Sequence, residues 1–361
     1  MQQLYRYNRI FTGEEWLLNH TVTVEDGVIT GITPNTAKDA LPFEPIDGIL
    51  APALIDIQLY GAYGKLLSVY PNKEALSLLQ QYCSEGGALH FMPTVATNTY
   101  DTIHQCIDAI RDYWKEGGKG CLGLHIEGPW LNKQKRGAHI ESLIHVPSLE
   151  EVKALLDYGK EVIKIITIAP EVCSEEVIQL IQSYGIVISA GHSNATYEEA
   201  MQAFNGNIHT ATHLYNAMSP LLHRSPGMVG AIFDHPTVMS SIVPDGYHVD
   251  FAAVRIAAKQ MPGRLFVITD AVTETTSGPY PHQLAGDKYE SNGILSGSAL
   301  TMIKAVRNMV QYANVTLEEA LRMGSLYPAR ALGIDNRLGK IAKGYKAAFI
   351  ALNEALELMP L

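Results

Sequence analysis

The chain has 361 residues, 47% of them hydrophobic and 18% charged, with a formal net charge of −10. This is enough apolar material for a large core and too long for a small single domain, while the diffuse acidic balance argues against nucleic acid as the main partner but not against an anionic small substrate in a locally basic pocket. Cys83, Cys106, Cys121 and Cys173 form no CxxC pair, MQQLYRYNRI has no apolar signal core and no run approaches about 18 apolar residues, so thiol-rich zinc motifs, a secretion signal and a membrane span are set aside in favour of a cytoplasmic chain with reduced thiols.

The first 48 residues read as strands. LYRYNRIFTG and EWLLNHTVTV are followed by a turn at Glu25–Asp26–Gly27 and by VITGITP, and Asp-Gly between β-rich runs predicts a hairpin. Thr36 to Pro45 reads as the loop of this unit. From GILAPALIDIQLYG onward, buried-strand runs alternate with amphipathic helices. Strands are expected at 50–57, 90–97, 121–126, 162–168, 185–190, 209–212, 238–243 and 264–269, and helices at 74–85, 101–115, 148–159, 174–184, 196–204 and 250–260, with 298–313, 317–324 and 327–333 following. Alternation of this kind builds a parallel sheet covered by helices, and eight strands close a (β/α)₈ TIM-like barrel. The C-terminal run LGKIAKGYKAAFIALNEALELMPL returns to β character and is expected to join the N-terminal strands. The domain expectation is a small β unit of 1–48 plus 336–361 and a barrel of 49–335.

Four segments carry the chemistry: HIEGPW around Glu127, SAGHSNATY around His192, ATHLYNAM around His213 and VITDAV around Asp270. Each is a strand-like run ending on a metal-type or acid/base residue. Their separations of 65, 21 and 57 residues correspond to two, one and two βα units of roughly 20 to 35 residues. This places them after barrel strands 3, 5, 6 and 8, on one common mouth. A carboxylate with two imidazoles is a catalytic zinc ligand set that leaves a position for water. Asp270, ending an apolar run, reads as the group that takes a proton from the activated water and returns it to a leaving amine; a fourth metal ligand is the competing reading. The bland alternative for Glu127 is a buried carboxylate paired with a lysine. His125 and His209 read as core or supporting histidines. Gln58–Leu59–Tyr60 stands where many metal-dependent barrel hydrolases carry His-x-His, so one ion fits better than two.

Loop residues around this mouth are the substrate candidates: Ala138 and His139 in Gly137–Ala–His139 beside the basic stretch Lys133–Gly137, Asn216 and Ala217 after His213, Arg224 in His-Arg-Ser-Pro-Gly, Asp245 and His248 after strand 7, and Leu295, Ser296 and Gly297 in a Gly/Ser turn before a helix. An arginine in a Gly/Pro-rich loop suits an anion.

With these residues in place the chain resembles the N-acetylglucosamine-6-phosphate deacetylase family of the amidohydrolase superfamily. The motifs are EDGVITGI, APALIDIQLYGAYG, HIEGPWLN, RGAH, SAGHSNATY, THLYNAMSPL, RSPGMVGAI, PDGYHVD, ITDAV, NGILSGSALTM and LYPARALG, in register from about Glu25 to about Ala348. The resemblance implies a barrel with a small β-sandwich from both chain ends, and hydrolysis of N-acetyl-D-glucosamine 6-phosphate to D-glucosamine 6-phosphate and acetate. It implies one divalent ion, zinc first, with iron, manganese or cobalt also suited to the donor set, held by Glu127, His192 and His213. Asp270 would be the acid/base, with His139 polarising the acetyl carbonyl. Ala138, Asn216, Ala217, Arg224, His248 and the Leu295–Gly297 turn match substrate-contacting positions. A homodimer is implied, with Arg224 and His248 serving a neighbouring subunit's site. Rival substrates are another phosphorylated N-acetyl hexosamine such as the galactosamine 6-phosphate, or N-acyl amino acids or cyclic amides. Ala53 and Tyr60 depart from the family pattern, Tyr60 in a place where it narrows the pocket, and Thr275–Glu290 matches it poorly.

Overall fold

In the computed structural model the described residues are 1–35, 45–291 and 293–361, so the loop expected at Thr36–Pro45 lies almost wholly outside them. Gln2–Phe11 and Trp16–Glu25 pair antiparallel, Gln2 opposite Glu25 and Phe11 opposite Trp16. The chain returns through Asp26 and Gly27, both at positive φ (48° and 77°), into Val28–Pro34. Two consecutive left-handed residues match the right-handed twist of the flanking strands, which is why Asp-Gly serves there. Ile46–Pro52 lies parallel to the first strand and antiparallel to Phe349–Leu352, with Leu358–Met359 at the edge, giving one six-stranded sheet drawn from both chain ends. Tyr7, Ile10, Val22, Leu50 and Phe349 form its own apolar cluster.

Eight parallel strands follow in sequential order: Leu54–Leu59, Ala88–Ala96, Leu124–Glu127, Ile163–Ile168, Val187–Ala190, Thr210–Ala211, Met239–Ile242 and Leu265–Val267. The barrel closes at its C-terminal end, where a parallel bridge joins Leu59 to Ala271 and the Asp270 N–H donates to the Gln58 carbonyl at 2.9 Å. The fold is therefore the expected TIM-like barrel with a terminal β unit. The expected first strand, 50–57, divides instead at Ala53. Its first half is the last part of Ile46–Pro52 in the terminal sheet, and its second half begins the barrel. Both halves are buried, so hydropathy carries no break between them.

Helices start where side chains can cap them. Asn72, Thr99, Ser148, Ser174 and Asp250 accept from the first turns of Lys73–Glu85, Tyr100–Lys115, Leu149–Gly159, Glu175–Ser183 and Phe251–Gln260, and Thr196 with Glu199 forms a full capping box for Tyr197–Asn205. Two elements were not expected. Gly227–Asp234 is a helix, but GMVGAIFD is apolar nearly all round and lacks a side-chain cap, so it shows no amphipathic stripe. Gln283–Ala285, Lys288–Ser291 and Ile294–Ser298 make a three-stranded antiparallel sheet. The expected turn at Leu295–Ser298 is its last strand, and Met302–Gln311 is the helix that follows. Among the described residues no helix is long and apolar enough to cross a membrane, and all four cysteines are free.

Candidate active site at the barrel mouth

Glu127, His192, His213 and Asp270 converge, each at or just past a barrel strand end, and all are buried. Three of them sit in the left-handed region, His192 at φ 47°, His213 at φ 40° and Asp270 at φ 54°. Non-glycine residues hold such conformations only where the surroundings over-determine them, and they cluster at functional sites. Gly128, next to Glu127, is required as glycine: its φ is 86° and an added Cβ would lie 2.3 Å from Thr97 Oγ1.

The Glu127 carboxylate is the hub. Its Oε1 lies 3.0 Å from His213 Nε2 and 3.2 Å from His192 Nε2, the two imidazole nitrogens are 3.1 Å apart, and Oε2 lies 3.3 Å from His139 Nε2. Glu127, His139 and His192 offer ligand atoms within 4.8 Å of one another, a group that can hold a metal ion. Donors about 2.0–2.1 Å from a tetrahedral ion stand about 3.3 Å from each other, close to these separations.

Hydrogen bonding separates the roles of the histidines. His192 Nδ1 meets the Lys135 carbonyl at 2.8 Å, an acceptor only, so Nδ1 carries the proton and the Nε2 lone pair faces Glu127 Oε1. Two lone pairs at that distance call for a cation between them. Burial, reinforced by His139, depresses the His192 pKa to about 4, which keeps the ring neutral and metal-competent near neutral pH. His139 is the opposite tautomer. Its Nδ1 accepts from the Thr97 N–H at 3.3 Å and lies 2.8 Å from Thr97 Oγ1, while Nε2 faces the Glu127 carboxylate at 3.3 Å, an arrangement served by a proton on Nε2. His213 Nδ1 is buried without a partner among the described residues.

Burial lifts the Asp270 carboxyl above its ordinary value; His213 opposes this and the Glu127 charge adds to it. Its Oδ1 accepts from Gln58 Nε2 at 2.9 Å and its Oδ2 stands 3.8 Å from His248 Nε2. His248 is clamped by Asp245, which accepts from Nδ1 at 2.6 Å and from the Tyr247 and His248 N–H groups.

A cavity of about 190 Å³ opens over these groups. Of the expected substrate residues, Ala138, His139, Asn216, Ala217, His248, Leu295 and Ser296 line it. Asp245 stands behind His248, and Gly297 packs on Val272. His248 lines its own chain's cavity, held there by Asp245. Arg224 lies outside the cavity and is exposed. His125 is a core histidine bonded to the Ile57 carbonyl and Thr167 Oγ1, and His209 is exposed rather than buried.

Six residues support the site through contacts that the sequence reading did not give, Gln58 and Tyr60 having been noted there only as departures from other barrel hydrolases. The Tyr60 hydroxyl donates to Glu127 Oε2, and Gln58 Nε2 is shared among Tyr60 Oη, Glu127 Oε1 and Asp270 Oδ1 at 2.9, 3.2 and 2.9 Å. Glu171 ties the loops after strands 3 and 5 by accepting from Asn132 Nδ2, Ser193 Oγ and the Asn194 N–H. Asp56 accepts from Thr269 Oγ1 and the Thr269 and Gln58 N–H groups across the barrel seam; burial pushes its pKa to about 7. Tyr280 and His282 enter the cavity wall from the unexpected β arm. Position two residues along a strand from Gln58 was the available signal for Tyr60, since alternate residues share a face; none pointed to His282.

The amidohydrolase family model matches residues 49–360. An N-acetylglucosamine-6-phosphate deacetylase of Haemophilus influenzae is 34% identical over 349 residues, covering 93% of this chain and 91% of its own length. An N-acetylgalactosamine-6-phosphate deacetylase of Escherichia coli O157:H7 is 32% identical over 374 residues, 99% of this chain and 96% of its own. The crystal structure of N-acetylglucosamine-6-phosphate deacetylase from Pasteurella multocida superposes with a TM-score of 0.93 at 32% identity, covering 99% of this chain and 97% of that one. The chain belongs to the amidohydrolase family and, within it, to the N-acetylglucosamine-6-phosphate deacetylases.

Proposed function

We infer that this enzyme hydrolyses the acetamide of N-acetyl-D-glucosamine 6-phosphate, giving D-glucosamine 6-phosphate and acetate. The observation that carries the reading is the Glu127–His192–His213–Asp270 cluster at the mouth of a barrel of this family. Glu127, His192 and His213 would hold one divalent ion, with zinc the first choice for a carboxylate and two imidazoles. Such an ion supplies Lewis acidity, making water nucleophilic at neutral pH and polarising the acyl oxygen. Asp270 is the base that takes the water's proton and the acid that returns it to the departing amine. His139, with its proton on Nε2, donates to the oxygen on which negative charge develops. Gln58 holds the Asp270 carboxylate in line, and Tyr60 holds the Glu127 oxygen that faces away from His213. We place Arg224 in a homodimer contact to the phosphate of a neighbouring subunit's substrate; its support is that Arg224 is exposed, in a loop with exposed Leu221 and Leu222, and does not line its own cavity.

The test is amine release from N-acetylglucosamine 6-phosphate, its unphosphorylated form and N-acetylgalactosamine 6-phosphate. The galactosamine epimer is the second reading, favoured by the E. coli relative's similarity over nearly the whole chain. Efficient turnover that collapses without the phosphate is expected; equal slow rates on all three would end the assignment.

Tyr60→Phe removes one hydrogen bond from the metal-facing carboxylate while keeping the ring in place. Its divalent-ion affinity should fall about 10- to 100-fold, as is typical when a group supporting a ligand is lost. Competition with a metal indicator reads this directly; unchanged affinity would reduce Tyr60 to a wall of the pocket.

A further inference from the structure

The segment Thr275–Glu290 matches the family pattern poorly, yet together with the strand Ile294–Ser298 it supplies Tyr280, His282, Leu295 and Ser296 to the cavity wall. His282 is 5% exposed and held on two sides. Its main chain exchanges hydrogen bonds with Thr275 at 2.9 and 3.0 Å, and its Nδ1 lies 2.8 Å from Ser296 Oγ on the neighbouring strand Ile294–Ser298. Among the described residues no hydrogen bond engages its Nε2, and the ring lines the cavity. A buried imidazole with one nitrogen satisfied and the other facing a ligand space is incomplete without a polar partner. Burial depresses its pKa to about 4, so at neutral pH the ring is uncharged and has no cationic claim on a phosphate. A neutral imidazole nitrogen, donor or acceptor according to tautomer, matches a neutral hydroxyl.

Resting on the phosphosugar reading above, we propose that His282 Nε2 hydrogen-bonds a ring hydroxyl of the hexosamine, which makes the arm at 275–298 a specificity element of this chain. Neither His282 nor the arm takes part in the proton transfers assigned to Asp270. The role is to hold the sugar, and its signature is a change in KM.

The experiment compares wild type, His282→Ala and His282→Gln on N-acetylglucosamine 6-phosphate and on unphosphorylated N-acetylglucosamine, with circular dichroism and bound-metal content as controls. Loss of one such hydrogen bond should raise KM and lower kcat/KM about tenfold for His282→Ala on both sugars, with kcat nearly constant. His282→Gln, whose amide reaches the Nε2 position, should recover part of the loss. If His282→Ala does not fold, His282→Gln and Ser296→Ala carry the test, the latter raising KM severalfold by releasing the ring. Unchanged KM in a folded His282→Ala would overturn the proposal. So would a loss confined to the phosphorylated sugar, which would make the phosphate the contact, or a fall in kcat at constant KM. If wild type turns over neither sugar, the functional reading itself has failed, and the wild-type rate alone shows it.

Discussion

In the Asp270→Asn enzyme, kcat for N-acetylglucosamine 6-phosphate falls by about 10² to 10⁴, the usual worth of a positioned acid/base, while KM changes little. The substitution is close to isosteric, and the surroundings fix the residue independently of its charge. The Asp270 N–H donates to the Gln58 carbonyl at 2.9 Å and its carbonyl accepts from the Ser298 N–H at 3.0 Å. The preceding residue, Thr269, is tied to Asp56 through both its N–H and its hydroxyl. The asparagine carbonyl can still accept from Gln58 Nε2, as Oδ1 does at 2.9 Å. What is lost is the ability to take up a proton. The residue is well matched to that task, because burial lifts its carboxyl above the ordinary value while His213 and His248 keep it from rising freely. Steady-state kinetics on metal-replete protein checks the prediction. A kcat within a few-fold of wild type would remove Asp270 from proton transfer and leave it as a support for Gln58.

The legible parts of this protein are those in which local and global preferences agree. The strand-end positions of Glu127, His192, His213 and Asp270 followed from apolar runs closed by polar residues at βα spacing, since a parallel barrel converts such spacing into convergence at one mouth. The helices expected from 148, 174 and 196 do begin there, where Ser148, Ser174 and Thr196 cap them, an N-cap being a local matter of one side chain and one turn. Contacts set by tertiary packing were not legible. The Tyr60 hydroxyl reaches Glu127 from 67 residues away, and Gln58 reaches Asp270 across 212. No periodicity encodes such a pairing. The Gly227–Asp234 helix is buried along its first six residues and so lacks the polar face by which helices are recognised. The arm at Gln283–Ser298 failed for the opposite reason: its strands are short and half exposed, and they alternate weakly. The tautomers that divide His192 from His139 depend on a carbonyl from Lys135 and an N–H from Thr97, both supplied by loops.

Glu127→Ala is expected to do more damage than any other single change in the site, and to do it through the metal. Wild-type protein should carry one divalent ion per chain, and the variant close to none, by elemental analysis after desalting. With the ion's Lewis acidity worth several kcal/mol, kcat should drop by at least about 10³. The geometry explains why the carboxylate is the keystone. His192 and His213 Nε2 stand 3.1 Å apart and each faces Glu127 Oε1, at 3.2 and 3.0 Å. Without that oxygen the two imidazoles offer the ion two neutral donors and no compensating charge. The donors on the other side, Tyr60 Oη, Gln58 Nε2 and His139 Nε2, would then point into a buried gap, and His139, with its proton on Nε2, would have to change tautomer to bind the ion through that atom. Glu127→Gln keeps the volume but fares little better, since its amide must present N–H to a site already furnished with donors. The ordering Glu127→Ala, Glu127→Gln, then Tyr60→Phe in loss of metal follows from the same contacts. Retention of a full ion by Glu127→Ala would shift the ligand set toward His139. It would also mean that the Thr97 contact does not decide the tautomer of that ring.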